Sequence, residues 1–245
     1  MIPKVVHYCW FGRNPLPESA RKCIASWKKF LPDYEIKEWN EDNFDVNIIP
    51  YTKEAYEAKK YAFVSDYARF WILYKYGGVY FDTDVEVIKP MDDIIARGPF
   101  MGIEKSDAAG SLPMIAPGLG LGAEPDMDVY GKILDGFHRM NFYSENGSVN
   151  PFSMIPMVTK LFADLGFKAN GEVECVAKTY IYPQDFFNPF DDLTGRLKLT
   201  TNTRSIHWYS KTWTNTSPRQ IWLSRLVHRI FGMAFHNLKA SINHK

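Results

Sequence analysis

The segment from Tyr61 to Val87 constrains the fold more than any other, because an apolar helix runs through two glycines into an alternating strand. From Glu54 to Tyr76 there is no Pro or Gly, and Gly77-Gly78 supplies a stop, so one long helix is expected over 54–76. Between Tyr61 and Tyr76 it is apolar almost all round (Ala62, Phe63, Val64, Tyr67, Ala68, Phe70, Trp71, Ile72, Leu73, Tyr74), the pattern of a buried helix. Val79-Tyr80-Phe81-Asp82-Thr83-Asp84-Val85-Glu86-Val87 then keeps the two-residue period of a β-strand. Val79, Phe81, Thr83, Val85 and Val87 would face a core, and Tyr80, Asp82, Asp84 and Glu86 the other side. At about 3.3 Å rise per residue, Asp82 and Asp84 would lie roughly 6 to 7 Å apart, close enough to share a hydrated divalent cation.

For a lone Asp-x-Asp, a solvated strand face is the plainer account. The helix in front shifts the balance, because Asp66 and Arg69 interrupt its apolar surface within the stripe Ala62, Asp66, Arg69, Leu73. A structural ion pair would explain them. Their place in the helix that feeds the acidic strand favours contact with a ligand.

The first hundred or so residues alternate β and α. Val5 to Trp10 reads as a strand, Pro17 suits a first helical position, and Glu18 to Phe30 carries Ala20, Ile24 and Trp27, with Leu31, at helical spacing before Pro32. Glu35 to Trp39 is a second strand, followed by the acidic loop Asn40-Glu41-Asp42-Asn43. This order implies an α/β fold with a mostly parallel sheet covered by helices, and 245 residues fill one such domain. Neither G-x-G-x-x-G nor G-x-x-x-x-G-K-[ST] occurs, so no dinucleotide cofactor or P-loop is supported. Gly118-Leu119-Gly120-Leu121-Gly122 is read instead as a strand or turn near the pocket. Farther on, Asp126 to His138 and Ser153 to Leu165 look helical, Thr179 to Tyr182 and Arg204 to Trp208 look like strands, and Pro183 to Pro189 looks like a loop.

A net charge of +1 and the lack of any Lys/Arg run argue against a nucleic-acid partner. Cys9, Cys23 and Cys175 are odd in number and far apart, which argues against a disulfide framework or a zinc site. Met1-Ile2-Pro3-Lys4 runs straight into a strand without a signal peptide, and no apolar run has membrane-spanning length, so a cytoplasmic location is expected.

Ser65-Asp66-Tyr67-Ala68-Arg69, followed by Gly77-Gly78-Val79-Tyr80-Phe81-Asp82-Thr83-Asp84, resembles the signature of the family 32 sugar-nucleotide glycosyltransferases with their DXD motif. Ile2-Pro3-Lys4-Val5-Val6-His7-Tyr8-Cys9-Trp10-Phe11-Gly12 resembles the opening strand of bacterial members that build capsule or lipopolysaccharide, and is similar to the glucosyltransferase domain of large clostridial toxins. The resemblance is dense over residues 1–105 and returns at 206–213. It implies a GT-A-type fold, Rossmann-like, in a single catalytic domain over 1–217, with 1–105 the sugar-nucleotide half and 106–217 the acceptor half. It also implies metal-dependent, retaining transfer of a hexose from a nucleotide sugar, UDP-linked by expectation, to a glycan or lipid-linked saccharide acceptor. The sequence offers no obvious nucleophile, so the implied step is front-face displacement guided by the leaving phosphate.

His207 lies after a short apolar strand and precedes Lys211, Thr212 and Trp213. Imidazole with carboxylates suits Mn2+ better than a pure oxygen cage suits Mg2+, although Mg2+ stays possible. Under the resemblance, Asp82, Asp84 and His207 form the metal site, with Thr212 an alternative to His207; the family's commoner ending is Ser-Trp, where this chain has Thr212-Trp213. The implied donor site takes Tyr8, Trp10, Asn40, Asp66, Arg69, Tyr80, Asp82, Lys211, Thr212 and Trp213. Trp10 would stack on the base or be an ordinary core residue. Asp66 and Arg69 would bind the sugar. Tyr80 would line the pocket, Asp84 would coordinate the metal, and Asp82 would reach the ribose or a metal-bound water. Lys211 and the metal would neutralise the departing diphosphate. Asp66, Arg69, Asp82 and Asp84 are thereby the catalytic candidates. A metal-dependent nucleotidyl- or phosphotransferase would bring a phosphate loop or basic cluster that is absent here. A non-catalytic sugar-nucleotide-binding protein would not need all four of those residues intact.

The C-terminal 218–245 reads as a basic amphipathic helix, best patterned from Gln220 to Lys239. Ile221, Leu223, Leu226, Val227, Ile230, Phe231, Ala234, Phe235 and Leu238 recur at helical spacing, while Arg219, Arg225, His228, Arg229, His236 and Lys239 add charge without an intervening acid. Such a helix packs on its domain or lies in an interface, and peripheral contact with anionic lipid on the cytoplasmic face of the inner membrane is expected.

Overall fold

A computed structural model describes residues 1–104, 113–150, 154–210 and 217–231. The N-terminal half follows the expected alternation: β1 (Val5–Cys9), α1 (Glu18–Phe30), β2 (Glu35–Trp39), α2 (Pro50–Glu57), α3 (Tyr61–Tyr76), β3 (Gly78–Tyr80), β4 (Val85–Val87), α4 (Asp92–Arg97) and β5 (Phe100–Glu104). Then come β6 (Met114–Ile115), a 3-10 turn at Pro117–Leu119, β7 (Leu121–Ala123), α5 (Asp128–His138), α6 (Met154–Asp164), β8 (Glu174–Val176) and β9 (Thr179–Tyr182). The chain continues through α7 (Gln184–Phe187), β10 (Phe190–Asp191), β11 (Arg196–Leu197), β12 (Ser205–His207) and α8 (Pro218–Phe231).

The main sheet runs β2-β1-β3-β7-β5-β9-β8, with β6 on β5. β1 is parallel to both β2 and β3, β5 is parallel to β9, and β7 joins the two groups by antiparallel pairing. Side-chain alternation splits the core between the two faces. Val6, Tyr8, Val79, Phe81 and Phe100 pack with Trp27 of α1, whereas Cys9, Tyr80 and Met101 pack with Val64, Phe70 and Leu73 of α3 and with Phe137 of α5. Each fully buried phenylalanine of this kind contributes about 1.5 to 3 kcal/mol of apolar transfer. The Trp27 indole also donates to Val85 O at 2.7 Å, fastening α1 to β4.

The parallel strands are locked beside the site by His7. Its Nε2 lies 3.0 Å from Gly77 O, and its Nδ1 accepts from the Trp39 indole at 3.0 Å. The ring is therefore the neutral Nε2–H tautomer, and burial lowers its pKa to about 4. Gly78 must be glycine, because at φ +100° a Cβ would lie 2.7 Å from Val5 O and 2.9 Å from His7 Nε2.

Two expected elements are divided. The helix expected over 54–76 is α2 plus α3, and α2 starts earlier, with Pro50 at its first turn. The break is a Schellman turn: Lys59 takes φ +57°, its N–H bonds Tyr56 O at 2.9 Å, and Lys60 N–H bonds Ala55 O at 2.8 Å. A lysine occupies the left-handed position that glycine normally marks. The strand expected over 79–87 is β3 plus β4, because Val85 N–H turns back to Asp82 O at 3.0 Å. β4 then leaves the main sheet and pairs with β12. The apolar positions Val79, Phe81, Val85 and Val87 still share one cluster, so the alternation survives the break in pairing. The stretch expected as a loop at 183–189 contains α7. The glycine-rich stretch becomes the 3-10 turn and β7. α8 begins at Pro218, and residues 232–239 of the expected helix lie outside the described residues. No helix among the described residues is long and apolar enough to cross a membrane.

Candidate functional site

Trp10, Asn40 and the turn 81–84 follow the carboxyl ends of β1, β2 and β3, the edge at which open α/β sheets form ligand crevices. Arg69 is the floor of the site. Its side chain is 4% exposed, and Nη2 lies 2.9 Å from Asp66 Oδ1 and 3.1 Å from Asp82 Oδ1. Nε donates to Ser65 O at 3.1 Å, and the guanidinium sits 5.1 Å above the Tyr80 ring. The Tyr80 hydroxyl donates to the same Asp82 Oδ1 at 3.1 Å. Asp66 and Asp82 are 24% and 26% exposed, so both open outward above a buried cation. Burial pushes the Asp66 carboxyl up to about 6 against the pull of Arg69, and burial likewise raises Asp82. Burial also lifts the Cys9 thiol below them to about 12, which makes it inert as a nucleophile.

The second aspartate is held by the other end of the chain. β12 pairs antiparallel with β4 in the register His207↔Val85, Ile206↔Glu86, Ser205↔Val87, which brings residues 207–210 alongside Asp84. His207 Nε2 lies 3.1 Å from Asp84 Oδ1, while Ser210 donates to Oδ2 from its backbone N–H at 2.8 Å and from Oγ at 3.0 Å. Burial opposes the charge on Asp84, but His207 and the Ser210 bonds outweigh it and hold the carboxyl well below the usual range. Burial likewise opposes the His207 cation, and the Asp84 carboxylate overrides it and raises the imidazole. Trp208 is fixed by its N–H to Asp84 O at 3.0 Å and by its indole to Glu86 Oε2 at 2.8 Å. From the third side comes the 3-10 turn, where a Cβ on Gly118 would lie 2.4 Å from Asp82 Oδ2.

A divalent ion suits the Asp84 end of this arrangement. His207 Nε2 lies 3.1 Å from Asp84 Oδ1 and Ser210 Oγ 3.0 Å from Asp84 Oδ2, so an imidazole and a hydroxyl converge on one carboxylate. Carboxylate, imidazole and hydroxyl are a donor set for a borderline ion such as manganese. Asp82 is committed instead to Arg69 and Tyr80. Accordingly, no group of three or more His, Cys, Asp or Glu is placed to hold a metal among the described residues, and the third donor here is a serine.

Of the other expected site residues, Tyr8 is buried and its hydroxyl donates to Glu38 Oε2 at 2.6 Å. Asn40 donates to Glu38 Oε1 at 2.9 Å, so Glu38 couples the two. Trp10 is half-buried, with its indole donating to Asn14 O at 2.6 Å. Tyr80 is 1% exposed and meets the site through its hydroxyl and the ring face beneath Arg69. Lys211, Thr212 and Trp213 lie outside the described residues. Gly118 belongs to the glycine-rich stretch expected near the pocket, whereas Ser210 and Glu38 are site residues that the sequence reading does not single out. For Ser210 the sequence carried no periodic signal: residues three apart point to opposite sides of an extended chain, and it is the left-handed Tyr209, at φ +48°, that turns Ser210 back to Asp84.

Residues 17–101 match the family described as "Glycosyltransferase sugar-binding region containing DXD motif". Inositol phosphoceramide mannosyltransferases 1 and 3 of Schizosaccharomyces pombe are 30% and 33% identical to this chain, over 41% and 38% of it. The matched segments span only 33% and 27% of those relatives' own lengths. An uncharacterised glycosyltransferase of Acanthamoeba polyphaga mimivirus is 28% identical over 77% of this chain and 76% of its own. Among solved structures, the PaToxG glycosyltransferase aligns with a TM-score of 0.47 at 18% identity, over 66% of this chain and 69% of that one. A glycosyltransferase involved in glycosylation of the major capsid of PBCV-1 aligns with a TM-score of 0.49 at 12% identity, over 89% and 98% of the two chains.

Proposed function

We propose that residues 17–101, which match the DXD sugar-binding region of glycosyltransferases, serve as that region here, and that the chain moves a hexose from a nucleotide sugar to a glycan or lipid-linked acceptor, with a divalent metal and with retention. The observation that carries the reading is the split grip on the motif: Asp82 bonded to the buried Arg69, and Asp84 bonded to His207 and Ser210. In this reading Asp66, Asp82 and Arg69 hold the sugar hydroxyls, and the carboxylates accept while the planar guanidinium orients them. Tyr8, Trp10 and Asn40 take the base and ribose at the strand ends, and Lys211, Thr212 and Trp213 close over the phosphates. Asp84, His207 and Ser210 would hold Mn2+ or Mg2+, which supplies positive charge for the departing diphosphate. The relatives named as mannosyltransferases support testing a mannose donor beside the UDP-hexoses. Their named lipid acceptor also supports work at a membrane surface, as do Trp222 and Leu223, which α8 exposes at 64% and 55%.

The test is turnover of UDP-glucose, UDP-galactose, the N-acetylhexosamine donors and GDP-mannose with Mn2+, comparing the wild type with Asp84→Asn. The amide can replace neither the charge nor the paired acceptance of Asp84, so a loss of about 100-fold or more is expected, of the order seen when a charge-stabilising group is removed. The thermal midpoint should fall as well, because a carboxylate held below its usual range stabilises the fold, so rates are compared at a temperature where both proteins are folded. Wild-type rates in the variant at limiting Mn2+ would overturn the metal assignment. No hydrolysis or transfer of any donor, with binding intact, would favour a non-catalytic binder.

A further inference from the structure

The helix α8 meets the domain through two arginines with different duties. Arg229 donates to Thr194 O at 3.1 Å and to Gly195 O at 3.0 Å, both in the β10–β11 turn. Arg225 bonds Asp192 twice, Nε to the carbonyl at 3.1 Å and Nη2 to Oδ1 at 2.7 Å. The same Nη2 also faces the carbonyls of Trp208 at 3.5 Å and Tyr209 at 3.4 Å, and the guanidinium lies 4.9 Å over Phe190, whose ring packs on Trp208. Those two carbonyls belong to the turn that delivers Ser210 to Asp84.

That turn needs holding. Tyr209 sits at φ +48°, a left-handed conformation that costs a side-chain-bearing residue about 1 to 2 kcal/mol. Asp84 grips it from inside through Trp208 N–H and Ser210 N–H. From outside, Arg225 places a cation on the carbonyls that the left-handed residue turns outward.

We propose that Arg225 is a positioning residue: it clamps the Trp208–Tyr209 turn so that His207 and Ser210 stay on Asp84, and thereby makes the C-terminal helix part of the site. The inference deepens the Asp84 reading above and rests on it for its consequence in metal binding.

Amide hydrogen exchange and Mn2+ titration on the full chain, for wild type, Arg225→Ala, Arg225→Lys and Arg229→Ala, decide it. Exchange at the Trp208 and Ser210 amides should rise about tenfold or more in Arg225→Ala through local opening. It should rise less in Arg225→Lys, which keeps the charge, and stay unchanged in Arg229→Ala, which loosens the same helix without touching the turn. The Mn2+ midpoint should shift by about tenfold in Arg225→Ala alone. Equal exchange at those two amides in Arg225→Ala and Arg229→Ala would reduce Arg225 to a docking residue and overturn the proposal. Wild-type protein that takes up no Mn2+ would overturn the metal reading, while the exchange data would still decide the role of Arg225.

Discussion

Arg69 is bonded to two carboxylates and a main-chain carbonyl at 4% exposure, so the carboxylates it holds are the titrating groups of this cluster. Asp66 carries the clearest consequence. Its pKa rises from 3.8 in the open chain to about 6 in the fold, so the folded state binds its proton more tightly, and the fold loses stability as pH climbs through that window. Asp66→Asn removes the slope. The difference in thermal midpoint, variant minus wild type, should therefore be more positive at pH 7.5 than at pH 4.5, and calorimetry that finds the same difference at both would refute the raised carboxyl. At this scale much was legible. Asp66 and Arg69 stood out as charges three apart in an apolar helix, and Asp82 and Asp84 as a pair, because those signals are local. Ser210 was not legible, since its bond to Asp84 spans 126 positions and depends on the β4–β12 register.

Among the elements, the 3-10 turn at Pro117–Leu119 reaches the site only through a missing side chain. A Cβ at Gly118 would meet Asp82 Oδ2 at 2.4 Å and Arg69 Nη1 at 3.4 Å, and Gly118 has no left-handed backbone to be strained by it. The movable party is the Asp82 carboxylate. Gly118→Ala should then lower donor turnover by about tenfold or more, since small misplacements of binding groups are costly, with a thermal midpoint within a few degrees of wild type. An unchanged rate would show that the Asp82 position does not matter. The elements that were misjudged share a cause. The gap between α2 and α3 is made by main-chain bonds around Lys59, a residue that signals no stop. The gap between β3 and β4 is made by the turn in which Val85 N–H bonds Asp82 O, after which β4 pairs with β12, far away in sequence, and the alternation of apolar residues is the same whether or not the pairing is continuous.

Across the whole molecule, charge is unevenly spread: the net is only +1, yet no Asp or Glu follows Asp192 while nine Lys and Arg do. With Trp222 and Leu223 exposed on α8, this supports the proposed contact with anionic lipid, an apolar anchor backed by basic charge. Replacing both residues by serine should reduce sedimentation with phosphatidylserine-containing vesicles at low salt while leaving turnover of a soluble donor intact. Equal partition of the two proteins would rule the contact out. The parallel pairing of β1 with β2 and β3 followed from local β-α alternation, whereas the antiparallel insertion of β7 and the return of the chain to β4 did not. That return sets a timetable for synthesis. A chain emerging from the ribosome can assemble Arg69 with Asp66 and Asp82 once β3 has docked, but Asp84 has neither histidine nor serine until residues 207–210 have been made. Completion of the site is thus the last act of translation across this region, and a nascent chain stalled before Ser205 holds one aspartate of the pair in place and leaves the other waiting.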